Sequence, residues 1–322
     1  MTAAVRTVLG DVAAADLGMT FAHEHLIIDS PLIVDRWAHI HLPDVDAAVR
    51  ELEPCVAAGV GAIVDAMPAA SGRDAVRLAE ISNRSGVHVI ACTGLHTSKY
   101  YEGQRWTSEE TPEVLAGLFT ADIVEGIDRY DYMGPVIRRT AHRAGILKVG
   151  VLEDAPTDRD VRVFEAAALT HSETGVPILT HCEGGVGAMA QVELFDQLGV
   201  PLDRVVISHT DKVNDLAYHR DLLETGVYLE YDQALRQGET ATEGTGRIVA
   251  AVVGEGYVDR LMLATDGARR SLWGVYGGGP GLSWLATRFV EILSELGVDD
   301  EAIHTMFVTN PACFLAFASG AT

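Results

Sequence analysis

The chain has 322 residues, 48% of them hydrophobic, with Lys+Arg 24 against Asp+Glu 46 and a formal net charge of −22. That length allows one large domain or two ordinary ones, and the acidity argues against nucleic acid or an anionic membrane surface as the main partner. Four scattered cysteines (Cys55, Cys92, Cys182, Cys313) without a CxxC pair argue against a disulfide framework or a thiolate zinc site. The opening residues "MTAAVRTVLGDVAAADLG" lack the apolar core of a signal peptide, and no apolar run reaches membrane-spanning length, so a cytoplasmic protein is expected.

In chain order, the first apolar run is "TFAHEHLII" from Thr20, which reads as a strand covered on both faces, yet it carries His-Glu-His in its middle. The amphipathic segment "DAAVRELEPCVAAG" then predicts a helix, "VGAIVDAM" a second strand, "GRDAVRLAEISNRSG" a helix and "VHVIACTG" a third strand. From Leu95 to Ala144 the chain is longer than one helix requires and holds "SKYYEGQRW" and "DRYDYMGP". "ILKVGV" is the fourth strand, "TDRDVRVFEAAALTHSETG" a helix, and "VPILTH", "RVVISH", "GVYLEYD" and "LMLATD" are the remaining strands. Each of the three helical segments ends on Gly, which suits a left-handed cap. Eight strands alternating with helices predict a single (β/α)8 barrel domain over residues 1–322, better than an open doubly wound sheet. No Gly-rich phosphate fingerprint follows an early strand; "GEGY" and "YGGGPG" have neither the spacing nor the position. The long stretches after "VHVIACTG" and in "GARRSLWGVYGGGPGLSW" follow strand ends, where barrels place substrate binding.

Burying polar side chains in a covered strand is unfavourable unless something satisfies them. His23 and His25 are two apart, so on a regular strand both point to one face, a chelating geometry. Lys148 lies in the fourth strand, His181 ends the fifth, His209 the sixth and Asp266 the eighth, and in a barrel these ends meet at one mouth. Imidazoles and a carboxylate converging there suit a borderline divalent metal such as zinc. A lone His is more often a satisfied polar residue than a ligand, and His39, His41, His88, His96, His142, His171, His219 and His304 are read that way. Lys148 is the discordant piece, because an ammonium repels a dication. A buried lysine loses its charge readily. As a neutral amine it can take up carbon dioxide to give a carbamate able to bridge two metals; otherwise it is a Schiff-base or ion-pair lysine.

Together "HEHL", the lysine of "KVG", "THCEGG", "SHTDK" and "ATD" resemble the phosphotriesterase-like branch of the amidohydrolase superfamily, from about Thr20 to Phe314. The resemblance implies a (β/α)8 barrel with two divalent metal ions, zinc first, with cobalt, manganese or iron also suited to the ligands. His23, His25 and Asp266 would hold the inner ion and His181 and His209 the outer one. Lys148, as N6-carboxylysine, would bridge them together with a hydroxide. Asp266 would accept the hydroxide proton during hydrolysis of an ester-like bond. Members of the branch are often dimers, so a homodimer is expected on the resemblance alone.

For the substrate, lactonases of the branch often place a tyrosine after the third strand; Tyr100 is favoured over Tyr101 here. Arg269 and Arg270 follow Asp266, and Lys99 lies in the loop after the third strand, cations suited to phosphate or carboxylate oxygens. The tail "RRSLWGVYGGGPG" also looks like the subgroup acting on phosphorylated sugar lactones. An anionic small molecule is therefore expected, a pentono-lactone with a terminal phosphate. Some phosphotriesterases carry a proton-relaying histidine where this chain reads "LEYDQALRQ", with Gln233 and Arg236, and an arginine near there is a lactonase trait. Asp211 is expected to orient a ligand from behind His209. The alternatives are a phosphotriesterase or carboxylesterase on the same metals, a non-catalytic binding barrel that would have lost ligands, and a Schiff-base aldolase using Lys148.

Overall fold

The chain enters through an antiparallel hairpin, β1 (Ala4–Thr7) and β2 (Gly10–Ala13), that the apolar runs do not announce. "GDVA" is too short and too polar to stand out as a strand. In the computed structural model, which describes residues 4–317, the eight apolar runs then form eight parallel strands. They are β3 (Met19–Glu24), β4 (Val60–Asp65), β5 (His88–Thr93), β6 (Ala144–Lys148), β7 (Ile178–Thr180), β8 (Val205–Ile207), β9 (Tyr228–Tyr231) and β10 (Leu261–Leu263). Each pairs with its neighbour in sequence order, and Asp266 N donates to His23 O at 3.0 Å across the remaining gap between β10 and β3. The sheet is a nearly closed (β/α)8 barrel. The domain expected over residues 1–322 runs past the described residues at both ends.

The connecting helices form where the sequence caps them. Asp44 accepts from Asp46 N and Ala47 N at the start of Val45–Ala57, and Asp74 does the same for Ala75–Ser85, which stops at Gly86 with φ 77°. Thr157 and Asp160 form a reciprocal capping box on Asp158–Thr174, closed by Gly175 at φ 71°. The long segment after β5 contains its own helix, Pro112–Val124. It is fastened by fully buried Arg73, which donates to Asp122 at 3.1 Å, to Asp131 at 3.1 Å and to Cys92 O at 2.5 Å. Breaking such a buried pair by removing one partner strands the other charge.

Inside the barrel, Ala22, Val64, Ile90, Cys92, Ile146, Leu179, Val206, Tyr228 and Met262 form one apolar cluster with Val5, Leu17 and Phe314. The N-terminal half of the barrel is thus filled with side chains, leaving only the C-terminal mouth for chemistry. The first strand departs from the regular strand predicted for it. Between Phe21 and Glu24 the register slips by one residue against β4. This bulge lets consecutive residues Ala22 and His23 both face the interior. The strand also ends at Glu24, so His25 and the apolar Leu26, Ile27 and Ile28 lie beyond it. Asp65 at the end of β4 accepts from Leu26 N at 2.7 Å, which fixes that turn. Among the described residues no helix is long and apolar enough to cross a membrane.

Candidate active site

The polar residues of the strand ends form the floor of one cavity of about 370 Å³ at the barrel mouth, and loop residues form its rim. Floor and rim together include His23, His25, His181, His209 and Asp266 with Lys99, Tyr100, Arg236 and Arg269. His23 and His25 have ring centroids 5.4 Å apart, so the bulge and the strand end achieve the convergence assigned to regular alternation. Asp266 Oδ1 lies 3.4 Å from His25 Nε2 and 3.9 Å from His23 Nε2. On the other side, His209 Nε2 is 2.8 Å from His181 Nδ1. Lys148 Nζ sits 3.3 Å from His23 Nε2 and 3.4 Å from Thr180 O. A Cβ on Gly94, at φ 99°, would strike the backbone of Lys148, so glycine there lets the loop after β5 close over the lysine.

These residues suit divalent cations. One donor atom each from His23, His25 and Asp266 lies within 4.8 Å of the others, and His23, His209 and Asp232 form a second such group. Burial pushes the His23 ring well below its ordinary range, and burial with the adjacent His209 holds His181 at about 3, so both offer lone pairs at neutral pH. Burial likewise lowers Lys148, which forms no ion pair with a carboxylate among the described residues. Once it gives up its proton, an amine beside the His23 ring can become a carbamate. Burial works against ionisation of Asp266, yet Arg236 and His25 hold its carboxyl well below the usual range. The Arg236–Asp266 contact is 2.7 Å.

Two carboxylates missed in the sequence brace this floor, both on the inner face at the end of β9. Glu230 Oε1 lies 2.7 Å from His23 Nδ1, which turns His23 Nε2 toward Lys148. Asp232 Oδ2 accepts from His209 N at 3.0 Å and sits 2.7 Å from His209 Nδ1, a close polar contact rather than an aligned hydrogen bond. The signal for them was "YLEYD", two acids at spacing two in an apolar run, the same contradiction as "HEH". Burial pushes Glu230 well up, whereas His209 holds Asp232 low against the burial that would raise it. Asp211, expected in this bracing role, lies elsewhere: its Oδ2 accepts from Gln233 N at 2.8 Å and Thr245 Oγ1 at 2.7 Å. His209 and Asp266 adopt left-handed backbone conformations, φ 63° and 43°, costly for residues with a Cβ and typical of functional sites. Asp232 steadies the first. Buried Glu24 steadies the second, accepting from Thr265 N at 2.8 Å and Gly267 N at 3.2 Å on either side of Asp266.

At the rim, Tyr100 lines the cavity with Trp37 against it at 5.0 Å between ring centroids. Tyr101 is buried outside the cavity and donates to Ala69 O at 3.1 Å. Lys99 pairs with Glu183 at 2.8 Å, and Glu183 also lies 3.3 Å from His181 Nε2. Arg269 lines the cavity, but Arg270, predicted to do the same, turns away: it donates to His41 O at 3.2 Å and lies 4.0 Å over the Tyr276 ring. Lys212 and His96, neither predicted at the site, also line the cavity, as does His39.

The family model of the phosphotriesterase family matches residues 3–315. The chain is 33% identical to a phospho-furanose lactonase of Mycoplasmopsis synoviae, over 97% of this chain and 91% of that one. Among solved structures, a lactonase from Listeria monocytogenes superposes with a TM-score of 0.90 at 27% identity, covering 98% of this chain and 100% of that one. A phosphotriesterase homology protein from Escherichia coli, solved with phosphate in its active site, superposes with a TM-score of 0.84 at 28% identity, covering 93% and 99%.

Proposed function

The chain belongs to the phosphotriesterase family and is a hydrolase, and on that premise we propose that it opens the ring of an anionic lactone, a furanose lactone carrying a phosphate. The observation that carries this reading is one cavity. It holds the His/Asp floor, with Lys148 against His23 behind it, together with the basic side chains of Lys99, Lys212 and Arg269, in a chain whose net charge is −22. The lactonase relatives and the phosphate bound in the Escherichia coli homologue support it.

In this reading His23, His25 and Asp266 would hold one divalent ion and His181 and His209 a second, and Lys148, as a carbamate, would add oxygen ligands. Forming that carbamate joins Nζ to the carbon of carbon dioxide and releases one proton. Two such ions supply Lewis acidity and hydroxide at neutral pH. Asp266, kept ionised beside Arg236, takes the proton of the attacking oxygen and returns it to the ring oxygen as the acyl–oxygen bond breaks. Glu230 holds the His23 ring in one tautomer and Asp232 steadies His209. Arg269 and Lys212 face the phosphate with donors that Glu183 does not neutralise, whereas Lys99 is already paired.

The test is metal content per chain together with hydrolysis of matched free and phosphorylated γ-lactones, aryl esters and phosphotriesters. About two ions per chain with strong preference for the phosphorylated lactone is the expected result. Two ions with no lactone turnover would sink the lactonase reading, and equal rates on both lactones would sink the phosphate.

A further inference from the structure

His96 looks like an ordinary loop histidine in the sequence, but it lines the cavity between two groups of the site. Its ring centroid lies 4.5 Å from that of His181 and 4.8 Å from that of Tyr100. Thr97 N donates to His96 Nδ1 at 2.6 Å, with Thr97 Oγ1 3.0 Å away from the same atom. A backbone N–H can only donate, so Nδ1 carries a lone pair and the proton of the neutral ring is on Nε2. No protein group among the described residues hydrogen-bonds to that Nε2, and the ring that bears it lines the cavity.

The ring is also fixed in place. His96 N donates to Tyr101 Oη at 2.7 Å, Tyr101 Oη donates to Ala69 O at 3.1 Å, and Arg159 lies 5.3 Å over the Tyr101 ring. This chain of contacts explains why Tyr101 turns away from the cavity while its neighbour Tyr100 enters it.

We propose that His96 is a catalytic hydrogen-bond donor, its Nε2–H holding the acyl oxygen of the substrate as negative charge gathers there. The proposal rests on the hydrolase reading above. Asp266 stands with His23 and His25 and handles the proton, while His96 stands with His181 and Tyr100 and keeps its own. As the new carbon–oxygen bond forms, the carbonyl π electrons move to the acyl oxygen, where Nε2–H meets them. As the ring carbon–oxygen bond breaks they return, and the ring oxygen takes its proton from Asp266. A preorganised neutral imidazole donor needs no rearrangement at that moment.

The experiment compares wild type with His96→Phe, which keeps a flat ring but no donor, and His96→Gln, which restores an N–H. Expected for His96→Phe is a fall in kcat of about 100-fold with little change in KM and wild-type metal content. The fall should be the same on a lactone and on an activated aryl ester, because both gather charge on the acyl oxygen; His96→Gln should recover part of it. Loss of metal along with activity, an unchanged kcat, or a loss confined to the lactone would each overturn the assignment. Independently of turnover, ¹⁵N NMR of the ring should find Nδ1 unprotonated and Nε2 protonated; an Nδ1–H ring or an imidazolium at neutral pH would overturn it. A wild type that hydrolyses neither substrate would sink the hydrolase reading, whereas the tautomer judges His96 by itself.

Discussion

His23 on the floor of the cavity and Lys148 against it are each 1% exposed, whereas the side chain of Lys99 at the rim is 36% exposed. The floor residues stand at strand ends, and His23 and His209 are each met by a carboxylate, Glu230 within β9 and Asp232 just past its end. The rim residues stand on loops and pair at the solvent surface, as Lys99 does with Glu183 at 2.8 Å. A buried polar group without its partners is costly, so the floor works as a unit; an exposed ion pair contributes little, so the rim can vary residue by residue. Substitutions on the floor should therefore abolish function whatever the substrate. Substitutions at the rim should produce graded effects that depend on the substrate's charge.

The largest effect should come from Lys148→Met, which fills the same volume without a nitrogen. Turnover should fall by more than about 1,000-fold, as when one member of a group acting as a unit is removed, and metal content should fall with it. Full metal loading with wild-type turnover in that variant would show that the lysine is not part of the floor's machinery.

Glu230→Gln and Asp232→Asn keep shape and replace a carboxyl group by an amide, so they ask whether the end of β9 braces both halves of the floor. Each should weaken metal binding by about 10–100-fold, measured by competition with a chelator. Glu230→Gln should act on the ion held with His23, and Asp232→Asn on the one held with His209. If both variants retained wild-type affinity, the contacts at 2.7 Å would be packing only.

A smaller effect distinguishes the floor through its protons. In the metal-free protein, burial and then the His209 ring hold His181 at about 3, against an ordinary 6.5. The unfolded chain binds the extra proton between those values, so stability that is fully present above pH 6.5 is lost as pH falls toward 3. The melting temperature of the metal-free protein should fall from pH 7 to pH 4, and less steeply in His181→Asn. Parallel curves would place the acid sensitivity elsewhere.

The floor was legible in the sequence because polar residues inside apolar runs contradict a buried strand. "HEH", "ILK", "ILTH", "VISH" and "LATD" each carry that contradiction, and parallel strands bring their ends to one mouth. Glu230 and Asp232 carry it too, in "YLEYD", but a carboxylate there is equally consistent with a ligand or with a partner for a histidine on a neighbouring strand, and only the fold separates the two. The bulge at Ala22–His23 left no trace, since a register slip depends on the neighbouring strand. On the loops the periodicity carries no information about direction. Nothing in "TGLHTSKYY" says that His96 and Tyr100 enter the cavity while Tyr101 supports them from behind, because that is settled by Tyr101 Oη bonding to His96 N and Ala69 O.

Arg269 and Arg270 make the finest division between floor-like and rim-like behaviour, because they are adjacent and chemically identical. Only Arg269 lines the cavity; Arg270 spends its guanidinium on His41 O and the Tyr276 ring. Arg269→Ala should raise KM for a phosphorylated lactone by about 10-fold, the loss of one charge-assisted contact, and leave a neutral lactone nearly unchanged. Arg270→Ala should change neither KM by more than about twofold, and instead lower the melting temperature slightly through the lost stacking on Tyr276. If Arg270→Ala gave the larger, charge-dependent rise in KM, the loop after β10 would have to turn over when substrate binds, bringing Arg270 in where Arg269 now stands. Such a result would move the rim from a set of fixed side chains to a loop that is ordered by its ligand.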